Sequence, residues 1–332
     1  MTELFAISSH LNAQENTPCV LATLVRVQGS SYRRVGARSL IGLDGKRIGS
    51  ISGGCLEEDL VARAILMIRE QQRSQVVTYD TTLENETVWG VGMGCHGVVD
   101  VCLELIESVP DWVEPTLAKL ANRQPFTLEV IWGDDSDRGT RWSENATGAS
   151  HVETDKRMMD TIVPSVHVVI FGAGDDAQPL VQLAQTLNWQ TTVWDVRSKF
   201  ANRDRFPDAG KVLVSPAESA PSLIDWDDRT VAIVMTHHYR FDLPLLKTLL
   251  KLNLTYLGIL GPSQRGERLM RDAGFEPNPS SEASTTRSPV GLDLGGDGPA
   301  AVALSIVSEI QAHFHGRNAR PLHLRTRPIH AS

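Results

Sequence analysis

The sequence predicts an α/β protein whose second half folds as a doubly wound parallel sheet. Three observations lead to this fold class. Short apolar strands alternate with amphipathic helices from Val166 onward, the strand 166–171 runs directly into the turn Gly172-Ala-Gly174, and a helix begins at Ala177. A strand, a glycine-rich turn and a helix in this order open many doubly wound sheets. We therefore expect the strands of this half to lie parallel, with helices on both faces.

The first half combines helices with strands that pair as hairpins. Apolar residues recur at helical spacing from Leu4 to about Ala13, and a β-rich apolar run follows from Pro18 to Val27. The turn Asp44-Gly45 separates the next two strands. The elements predicted after Val27 are strands over 39–43 and 48–51, a helix through 60–68, strands over 76–79 and 98–105, and a helix over 111–121.

The second half alternates strands and helices down to its end. Residues 280–288 are polar and predict a loop. The other predicted elements are strands over 166–171, 191–194, 231–235 and 256–259 and around Val212, and helices over 177–187 and 303–310.

A change in composition divides the chain into two domains. Residues 133–160 contain Asp134-Asp-Ser-Asp137, Asn145, Gly148 and few apolar side chains, which is typical of a linker. A length of 332 residues also suggests two domains, at about 150 residues each. We expect a first domain over 1–133, a linker over 134–160, a second domain over 161–316 and a flexible basic tail over 317–332.

The composition argues against several classes of protein. With 41% hydrophobic and 22% charged residues, the chain is expected to be globular. Forty acidic against 32 basic side chains give a net charge of -8, which argues against nucleic-acid binding. No apolar run reaches the roughly 18 residues of a membrane span, and the first residues lack the pattern of a signal peptide. Four cysteines are too few for a secreted disulfide scaffold, so we expect a cytoplasmic protein without a membrane partner.

The glycine-rich turn predicts a site for a nucleotide-like ligand. Without side chains, Gly172 and Gly174 let the backbone approach a phosphate at the start of a helix. Asp195 ends the next strand, where a carboxylate accepts hydrogen bonds from a ribose. Asp175 and Asp176, however, place negative charge beside the pyrophosphate position of a standard dinucleotide site. Three interpretations stay open: a nucleotide-like ligand, the NAD(P) site of an oxidoreductase, and a turn with a structural role alone.

Two more polar segments follow strands of the same half. His237 lies in Met235-Thr-His-His238, and Arg265 follows the turn that begins at Gly261. Ligands of open α/β sheets bind at the carboxyl ends of the strands, so both residues are candidates for ligand binding. Adjacent histidines in an extended segment point to opposite sides, and no closed set of metal ligands accompanies them, so a structural metal is not expected at this position.

Two of the four cysteines lie directly after glycines. Cys55 follows Gly53-Gly54 at a predicted helix start, where the positive end of the helix dipole favours a thiolate, and Cys95 lies in a glycine-rich run. Both thiols are candidates for soft metal ligands or for sulfur handling. Cys19 and Cys102 lie in apolar strand-like runs and are expected in the core. No pair has Cys-x-x-Cys spacing, so a zinc site is not expected.

The loop after the first strand is a further candidate site. Ser30 and Ser31 precede Arg33 and Arg34 there. Hydroxyl and guanidinium groups together can bind phosphate or another oxyanion. A solvent-exposed loop with surface arginines explains the same residues, and both interpretations stay open.

Taken together, these segments resemble the XdhC/CoxI family along almost the whole chain. The chain departs from the family pattern at Tyr32, His96 and Asp175, where that pattern usually has proline, glycine and, often, histidine, respectively. The resemblance rests on motifs in the same order: Gly29-Ser-Ser, Arg34, Gly36-Ala37, Gly49-Ser-Ile-Ser-Gly-Gly-Cys-Leu-Glu57 and Gly92-Met-Gly-Cys95, then Phe171-Gly-Ala-Gly174, Asp195-Val-Arg197, Phe206-Pro-Asp-Ala209, Met235-Thr-His237, Asp242, Tyr256-Leu-Gly-Ile-Leu-Gly261, Arg265 and Pro289-Val-Gly-Leu-Asp-Leu-Gly295.

The resemblance implies a Rossmann-type C-terminal domain behind a smaller N-terminal α+β domain. It also implies a cytoplasmic accessory protein, more a maturation factor than an enzyme in its own right. Such a protein binds the molybdopterin-type molybdenum cofactor, in a plain or nucleotide form, and supports its sulfuration with a cysteine desulfurase. It then delivers the cofactor to the apo-subunit of a molybdenum hydroxylase such as xanthine dehydrogenase, and a homodimer is expected.

On this interpretation Cys55 and Cys95 contact molybdenum or transferred sulfur. An NAD(P)-dependent oxidoreductase, and a scaffold that only bridges the desulfurase and the hydroxylase, are the alternatives. The predicted cofactor-binding residues are Gly172, Gly174 and Arg265 at the phosphate end, Asp195 at a ring or hydroxyl edge, and Ser30, Ser31, Arg34, Gly53, Gly54 and His237.

Overall fold

The chain divides into two compact units, residues 1–164 and 165–324. Within the described residues, no helix is both long enough and apolar enough to cross a membrane. The computed structural model describes residues 2–13, 17–80, 97–133, 138–144, 151–154, 156–275 and 285–325.

A five-stranded antiparallel sheet lies at the centre of the first unit, in the order β3-β2-β1-β5-β4. The strand β1 has partners on both sides, and its first seven residues are buried. The strands are β1 (Cys19–Gly29), β2 (Arg38–Gly42), β3 (Arg47–Gly49), β4 (Ser74–Asp80) and β5 (Gly97–Ile106), and the helices of this unit are α1 (Thr2–Ala13), α2 (Glu57–Glu70) and α3 (Val113–Ala121).

Both faces of this sheet are covered. The apolar stripe of α2, formed by Leu60, Ala64 and Met67, packs in one core cluster with Val20 of β1. Because side chains alternate along a strand, Leu21 belongs to a second cluster that also holds apolar residues of α1 and α3. The helices and strands predicted for this part of the chain are therefore present, with boundaries shifted by a few residues.

A second antiparallel sheet occupies the segment in which the sequence predicts a linker. Its strands run in the order β7-β6-β9-β8, so the interpretation of 134–160 as a linker does not hold for the described residues of that segment. Val130, Trp132 and Met158 pack with Val25 and Cys102 of the first sheet. The strands are β6 (Phe126–Ile131), β7 (Gly139–Ser143), β8 (His151–Thr154) and β9 (Arg157–Ile162).

The polar composition of this segment has a structural reason. Glu129 of β6 is half-buried, stands opposite Arg141 of β7 and forms an ion pair with Arg157 of β9 at 3.3 Å. Along β9, buried Met158 and Asp160 alternate with residues that are at least partly exposed. A strand with one face toward solvent keeps polar residues at such positions, so its sequence resembles that of a linker. With this sheet included, the first unit is as long as the second.

The second unit is a six-stranded parallel sheet in the order β12-β11-β10-β13-β14-β15, which confirms the predicted doubly wound α/β fold. Val168 and Ile170 pack on the side of α4 and α7, while Val169 and Phe171 pack on the side of α5 and α6. The strands are β10 (His167–Phe171), β11 (Gln190–Trp194), β12 (Lys211–Leu213), β13 (Thr230–Val234), β14 (Leu257–Ile259) and β15 (Thr286–Arg287), and the helices are α4 (Ala177–Thr186), α5 (Tyr239–Leu249), α6 (Ser263–Asp272) and α7 (Pro299–Phe314).

The order of these strands reverses between β10 and β13. From β10 the chain proceeds outward to β11 and β12, and it then returns to start β13 on the other side of β10. Doubly wound sheets bind their ligands at this switch point, beyond the carboxyl ends of the strands. The turn after β10 and the segment after β13 are therefore neighbours at this point.

Two further predictions for the second half concern the tail and one polar loop. Of the predicted basic tail over 317–332, the structure describes 317–325, where Leu322–Leu324 form a short 3-10 turn. Most of the polar loop predicted over 280–288 lies outside the described residues, and β15 contributes its last part.

Gly172 is required by the packing of the sheet itself. Its φ is +130°, in a region that side chains rarely adopt. A Cβ at this position would lie 2.4 Å from the carbonyl oxygen of Met235, which follows β13. The switch point can close only around a residue without a side chain, so Gly172 has a structural role whatever ligand binds nearby.

We expect Gly172→Ala to lower the free energy of unfolding by about 2–4 kcal/mol, because it combines backbone strain with a clash against backbone atoms. Gly274→Ala is the matched control: its φ is +83°, but no atom lies within 4 Å of an added Cβ, so strain alone should cost about 1 kcal/mol. Urea unfolding followed by tryptophan fluorescence measures both. Equal losses in the two variants would contradict the packing argument.

Candidate functional site

Two of the predicted site loops lie against each other in the first unit. The loop that follows β1 presents Ser30, Tyr32 and Arg34 at the surface, and Tyr32 is 67% exposed. Atoms of its ring lie 3.6 Å from the place where a Cβ of Gly53 would stand. The loop with the hydroxyl and guanidinium groups and the loop that ends in Cys55 therefore form one surface.

Cys55 lies on that surface as an exposed thiol. The helix α2 begins two residues later, at Glu57, so the predicted position of Cys55 at a helix start is confirmed. Gly53 and Gly54 are exposed as well, and nothing lies within 4 Å of an added Cβ at Gly54. A bulky ligand can therefore approach the backbone beside this thiol.

Cys95, the other predicted thiol, lies outside the described residues together with His96. The described chain resumes at Gly97, which opens β5 and pairs with Gly29 of β1. A Cβ at Gly97 would overlap the carbonyl oxygen of Ser30, so this glycine allows β5 to start close to the serine loop. Among the described residues, no three His, Cys, Asp or Glu side chains converge to hold a metal ion.

A buried carboxylate that is not among the predicted site residues holds the Cys55 loop. Glu57 is 4% exposed. It accepts hydrogen bonds from the backbone N–H of Ser52 at 2.8 Å, from the Ser50 hydroxyl at 2.9 Å and from the Leu56 N–H at 3.3 Å, and also from the Ser52 hydroxyl. Burial raises the pKa of this carboxyl, but these hydrogen bonds outweigh it and lower the pKa to about 2. The sequence signals for it are a pair of serines ahead of a glutamate at a helix start and the motif Gly49-Ser-Ile-Ser-Gly-Gly-Cys-Leu-Glu57, which ends at this residue.

A cavity of about 480 Å³ adjoins the Tyr32 and Arg34 loop within the first unit. Arg33 and Glu3 line it and form a two-pronged ion pair, with N–O distances of 3.0 and 2.5 Å. The other lining residues come from the start of α1, the segment between β1 and β2, and the end of β9: Leu4, Tyr32, Arg34, Val35, Gly36, Ala37, Arg38, Asp160, Thr161, Ile162 and Val163.

In the second unit, the Asp195 carboxylate already accepts hydrogen bonds from groups of the protein itself. Its carboxylate is 1% exposed. One oxygen accepts the backbone N–H and the Nε–H of Arg197, and the other accepts an Nη2–H of Arg197 and the Ala173 N–H. Burial raises the pKa of Asp195, and the hydrogen bonds from Arg197 and Ala173 lower it below its usual value. The predicted ribose acceptor is therefore a buried cross-link between β11 and the glycine-rich turn.

Carboxylates also lie at the glycine-rich turn, where the sequence predicts a phosphate. Asp175 forms an ion pair with Arg205 at 2.9 Å, and Asp176 accepts a hydrogen bond from Nε2 of His237 at 2.6 Å. His237 has a φ of +59° and is reachable from solvent. The hydrogen bond to Asp176 raises the pKa of His237, so the protonated imidazole is favoured.

Arg265 is likewise held by an internal carboxylate. It forms an ion pair with Asp242, whose side chain is fully buried, and it donates to the Leu260 carbonyl oxygen at 3.2 Å. The Thr236 hydroxyl donates to the other oxygen of Asp242 at 2.5 Å. The structure thus brings Gly172, Gly174, His237 and Arg265 to the carboxyl ends of neighbouring strands, as the sequence predicts, but their polar groups face protein carboxylates.

Comparison with known proteins relates both units to described families. The XdhC and CoxI family matches residues 13–80, and the XdhC Rossmann domain matches residues 168–310. A Bacillus subtilis protein, named as a probable subunit of xanthine dehydrogenase, is 31% identical over 316 residues, which cover 90% of this chain and 93% of that protein. The molybdenum cofactor insertion chaperone PaoD of Escherichia coli is 27% identical over 299 residues, 88% of this chain and 82% of PaoD.

A solved structure extends the likeness to the fold. The crystal structure of a xanthine dehydrogenase from Bacillus halodurans superposes with a TM-score of 0.80 at 28% sequence identity. The match covers 97% of this chain and 99% of that chain. Both units of the protein therefore have counterparts in one known chain.

We expect Glu57→Gln to lower the free energy of unfolding by about 2–3 kcal/mol at pH 7, since each pKa unit corresponds to about 1.4 kcal/mol. The pKa of Glu57 is held near 2, so its stabilisation is complete above the ordinary pKa of about 4.5 and disappears as the pH falls toward 2. The difference between the variant and the wild type should thus shrink to roughly half at pH 3.

Urea unfolding at pH 7 and pH 3 measures this difference. Glu58→Gln is the matched control, because Glu58 is the exposed neighbour on the same helix and surface changes stay within about 0.5 kcal/mol. A Glu57→Gln variant as stable as the control at pH 7 would show that the carboxylate does not hold the loop.

Proposed function

Because the chain belongs to the XdhC and CoxI family, we propose that it is an accessory chaperone that carries a molybdopterin-type molybdenum cofactor and inserts it into a molybdenum hydroxylase of the xanthine dehydrogenase kind. The names of the Bacillus subtilis relative and of PaoD support this role. The observation on this chain that carries the proposal is the exposed Cys55, which lies on a glycine loop beside the loop of Tyr32 and Arg34.

The chemistry of these groups suits such a cargo. A thiolate is a soft ligand for a metal that already carries sulfur ligands. Cys55 is reachable from solvent, and Gly53 and Gly54 leave its surroundings open. Ser30, Ser31 and Arg34 offer hydroxyl and guanidinium donors to the oxygens of a cofactor. In this proposal Cys95 supplies a second thiol.

The finer points of the role are proposals as well. Cys55 and Cys95 contact molybdenum or carry the sulfur that a cysteine desulfurase supplies, and the protein works in the cytoplasm as a homodimer. It acts as a maturation factor and not as an enzyme in its own right. Purification from cells that make the cofactor, followed by molybdenum and pterin analysis, tests the cargo. Absence of both, with unchanged hydroxylase activity in a deletion strain, would refute the proposed function.

We expect the double variant Cys55→Ala with Cys95→Ala to reduce the activity of the client hydroxylase at least about tenfold in a deletion strain, because loss even of the groups that orient metal ligands costs about 10–100-fold. The measurement is client activity per molecule of hydroxylase. Cys19→Ala is the control, since Cys19 is a buried thiol. Full maturation with the double variant would favour the alternative of a scaffold that only bridges the desulfurase and the client.

The oxidoreductase alternative makes a separate prediction. Asp175 and Asp176 carry negative charge at the glycine-rich turn, and the Asp195 carboxylate already accepts hydrogen bonds from Arg197 and Ala173. Repulsion of the pyrophosphate and the lack of a ribose acceptor should leave NADH without measurable binding below about 1 mM. Titration of the purified protein by NADH fluorescence tests this. Micromolar binding would favour the NAD(P)-dependent enzyme.

A further inference from the structure

One arginine in the wall of the first unit's cavity is not among the ligand residues that the sequence predicts. Arg38 begins β2 and is 4% exposed. Its Nη1 donates to the Gly36 carbonyl oxygen at 3.0 Å and to Asp160 of β9 at 2.6 Å. Asp160 is also nearly buried, so this ion pair fixes a guanidinium group beside the cavity.

The other edge of this guanidinium group has no hydrogen-bond partner among the described residues. Nε and Nη2 of Arg38 are both buried and unpaired. These two nitrogens point their N–H bonds in the same direction, which is the edge that takes two oxygens of a carboxylate or a phosphate. These two nitrogens are themselves buried, so an oxyanion in the cavity reaches them only when the side chains around Arg38 shift. Burying such donors without acceptors costs free energy, and an oxyanion that pairs with them offsets the cost of that shift.

The charges of the cavity wall also favour an anion. Three arginines line it, Arg33, Arg34 and Arg38, against the two carboxylates of Glu3 and Asp160. The lining therefore carries a net positive charge in a chain whose net charge is -8. Glu3 lies in the fork of Arg33 at the half-exposed side of the cavity, where a ligand oxyanion can compete with it.

The rest of the wall suits a planar organic group. Leu4, Val35, Ile162 and Val163 contribute apolar side chains, and Tyr32 adds an exposed ring. A volume of about 480 Å³ lies within the range of about 300–1,000 Å³ that small-molecule sites have. A planar ring would fit against the apolar side chains of the wall, and a phosphate group attached to it would fit against the arginines.

We propose that this cavity binds the phosphate-bearing end of the cargo, a phosphate monoester attached to a planar pterin-like ring, with Arg34 and the Nε/Nη2 edge of Arg38 as its anion contacts. The inference rests on the proposed function and moves the phosphate end from the Gly172 turn to the first unit. Tyr32 lines the cavity and also lies beside Gly53. The far end of the same ligand then lies toward the Cys55 loop.

Titration of the full chain with neopterin monophosphate tests this cavity. Pterin fluorescence reports binding, and neopterin without phosphate and inorganic phosphate serve as separate probes for the ring and the anion. We expect the phosphate ester to bind at least about tenfold more tightly than neopterin. Arg34→Gln should weaken binding about tenfold. Arg38→Lys should do the same, because lysine keeps the charge but loses the bidentate edge.

Arg63→Gln is the matched control, since Arg63 is a half-buried arginine paired with Asp59 on α2 and does not line the cavity. It should bind the probe like the wild type. Circular dichroism checks the fold of each variant, and Arg34→Gln decides the outcome should Arg38→Lys fail to fold. Equal affinity of wild type and Arg34→Gln for the probe, or no binding by the wild type, would overturn the proposal that this cavity binds the phosphate ester.

The outcomes separate this inference from the proposed function. A protein that purifies with molybdenum and pterin but ignores neopterin monophosphate would keep the chaperone role and overturn the cavity. A protein that binds the probe through Arg34 and Arg38 but never carries molybdenum or pterin in cells would support the cavity and overturn the chaperone role.

Discussion

The buried carboxylate of Glu57 is the constraint on which the candidate site depends. Its hydrogen bonds from Ser50, Ser52 and Leu56 close the loop before α2 and keep the carboxylate ionised in the interior. Ile51 and Leu56 anchor the two ends of this loop in the core. No apolar side chain lies between Ser52 and Cys55, so the shape of that stretch depends on the hydrogen bonds. Because the loop is held, Gly53 offers a flat surface to the Tyr32 ring, and Cys55 is presented to solvent.

Carboxylates pair with arginines in both units, but the two candidate sites differ in the donors that these pairs leave over. At the carboxyl ends of the parallel sheet, Arg197, Arg205 and Arg265 each face an aspartate of the same unit. A ligand phosphate would have to displace these carboxylates, and the separation of one buried pair leaves a buried charge unpaired, which is costly. In the first unit, Arg38 keeps one complete edge without an acceptor among the described residues. The fold known for nucleotide binding is thus the less prepared of the two for an anion.

The sequence predicts a helix or strand well where burial gives its apolar residues a clear pattern along the chain, and poorly where that pattern is weak. The strand 166–171 and the stripe of α2 carry unmistakable apolar patterns, which place both elements within a few residues. In the second sheet of the first unit, β7 and β9 bury only some of their residues, and their polar residues make them difficult to recognise as strands. The residue types alone identify Cys55 and the loop of Ser30, Ser31 and Arg34 as candidates for a site. They cannot show which groups each side chain pairs with in the folded protein. Asp195 and Arg265 have the residue types expected at a ligand site, but each forms an ion pair within the protein, with Arg197 and Asp242 respectively. Arg38 and Asp160 pair across 122 positions, beyond any local motif.

This long-range pair gives the second sheet a role in the site. Asp160 and Val163 reach the cavity because β9 pairs with β6, and β6 is anchored by Trp132 and Val130 against the first sheet. Without Asp160, the Arg38 guanidinium would keep the Gly36 carbonyl oxygen but lose its charged acceptor, and its bidentate edge would be less firmly oriented. A segment whose composition resembles a linker therefore supplies the counter-charge that orients an anion-binding arginine. The same sheet brings Thr161, Ile162 and Val163 to the cavity wall, so it contributes both the counter-charge and part of the apolar lining.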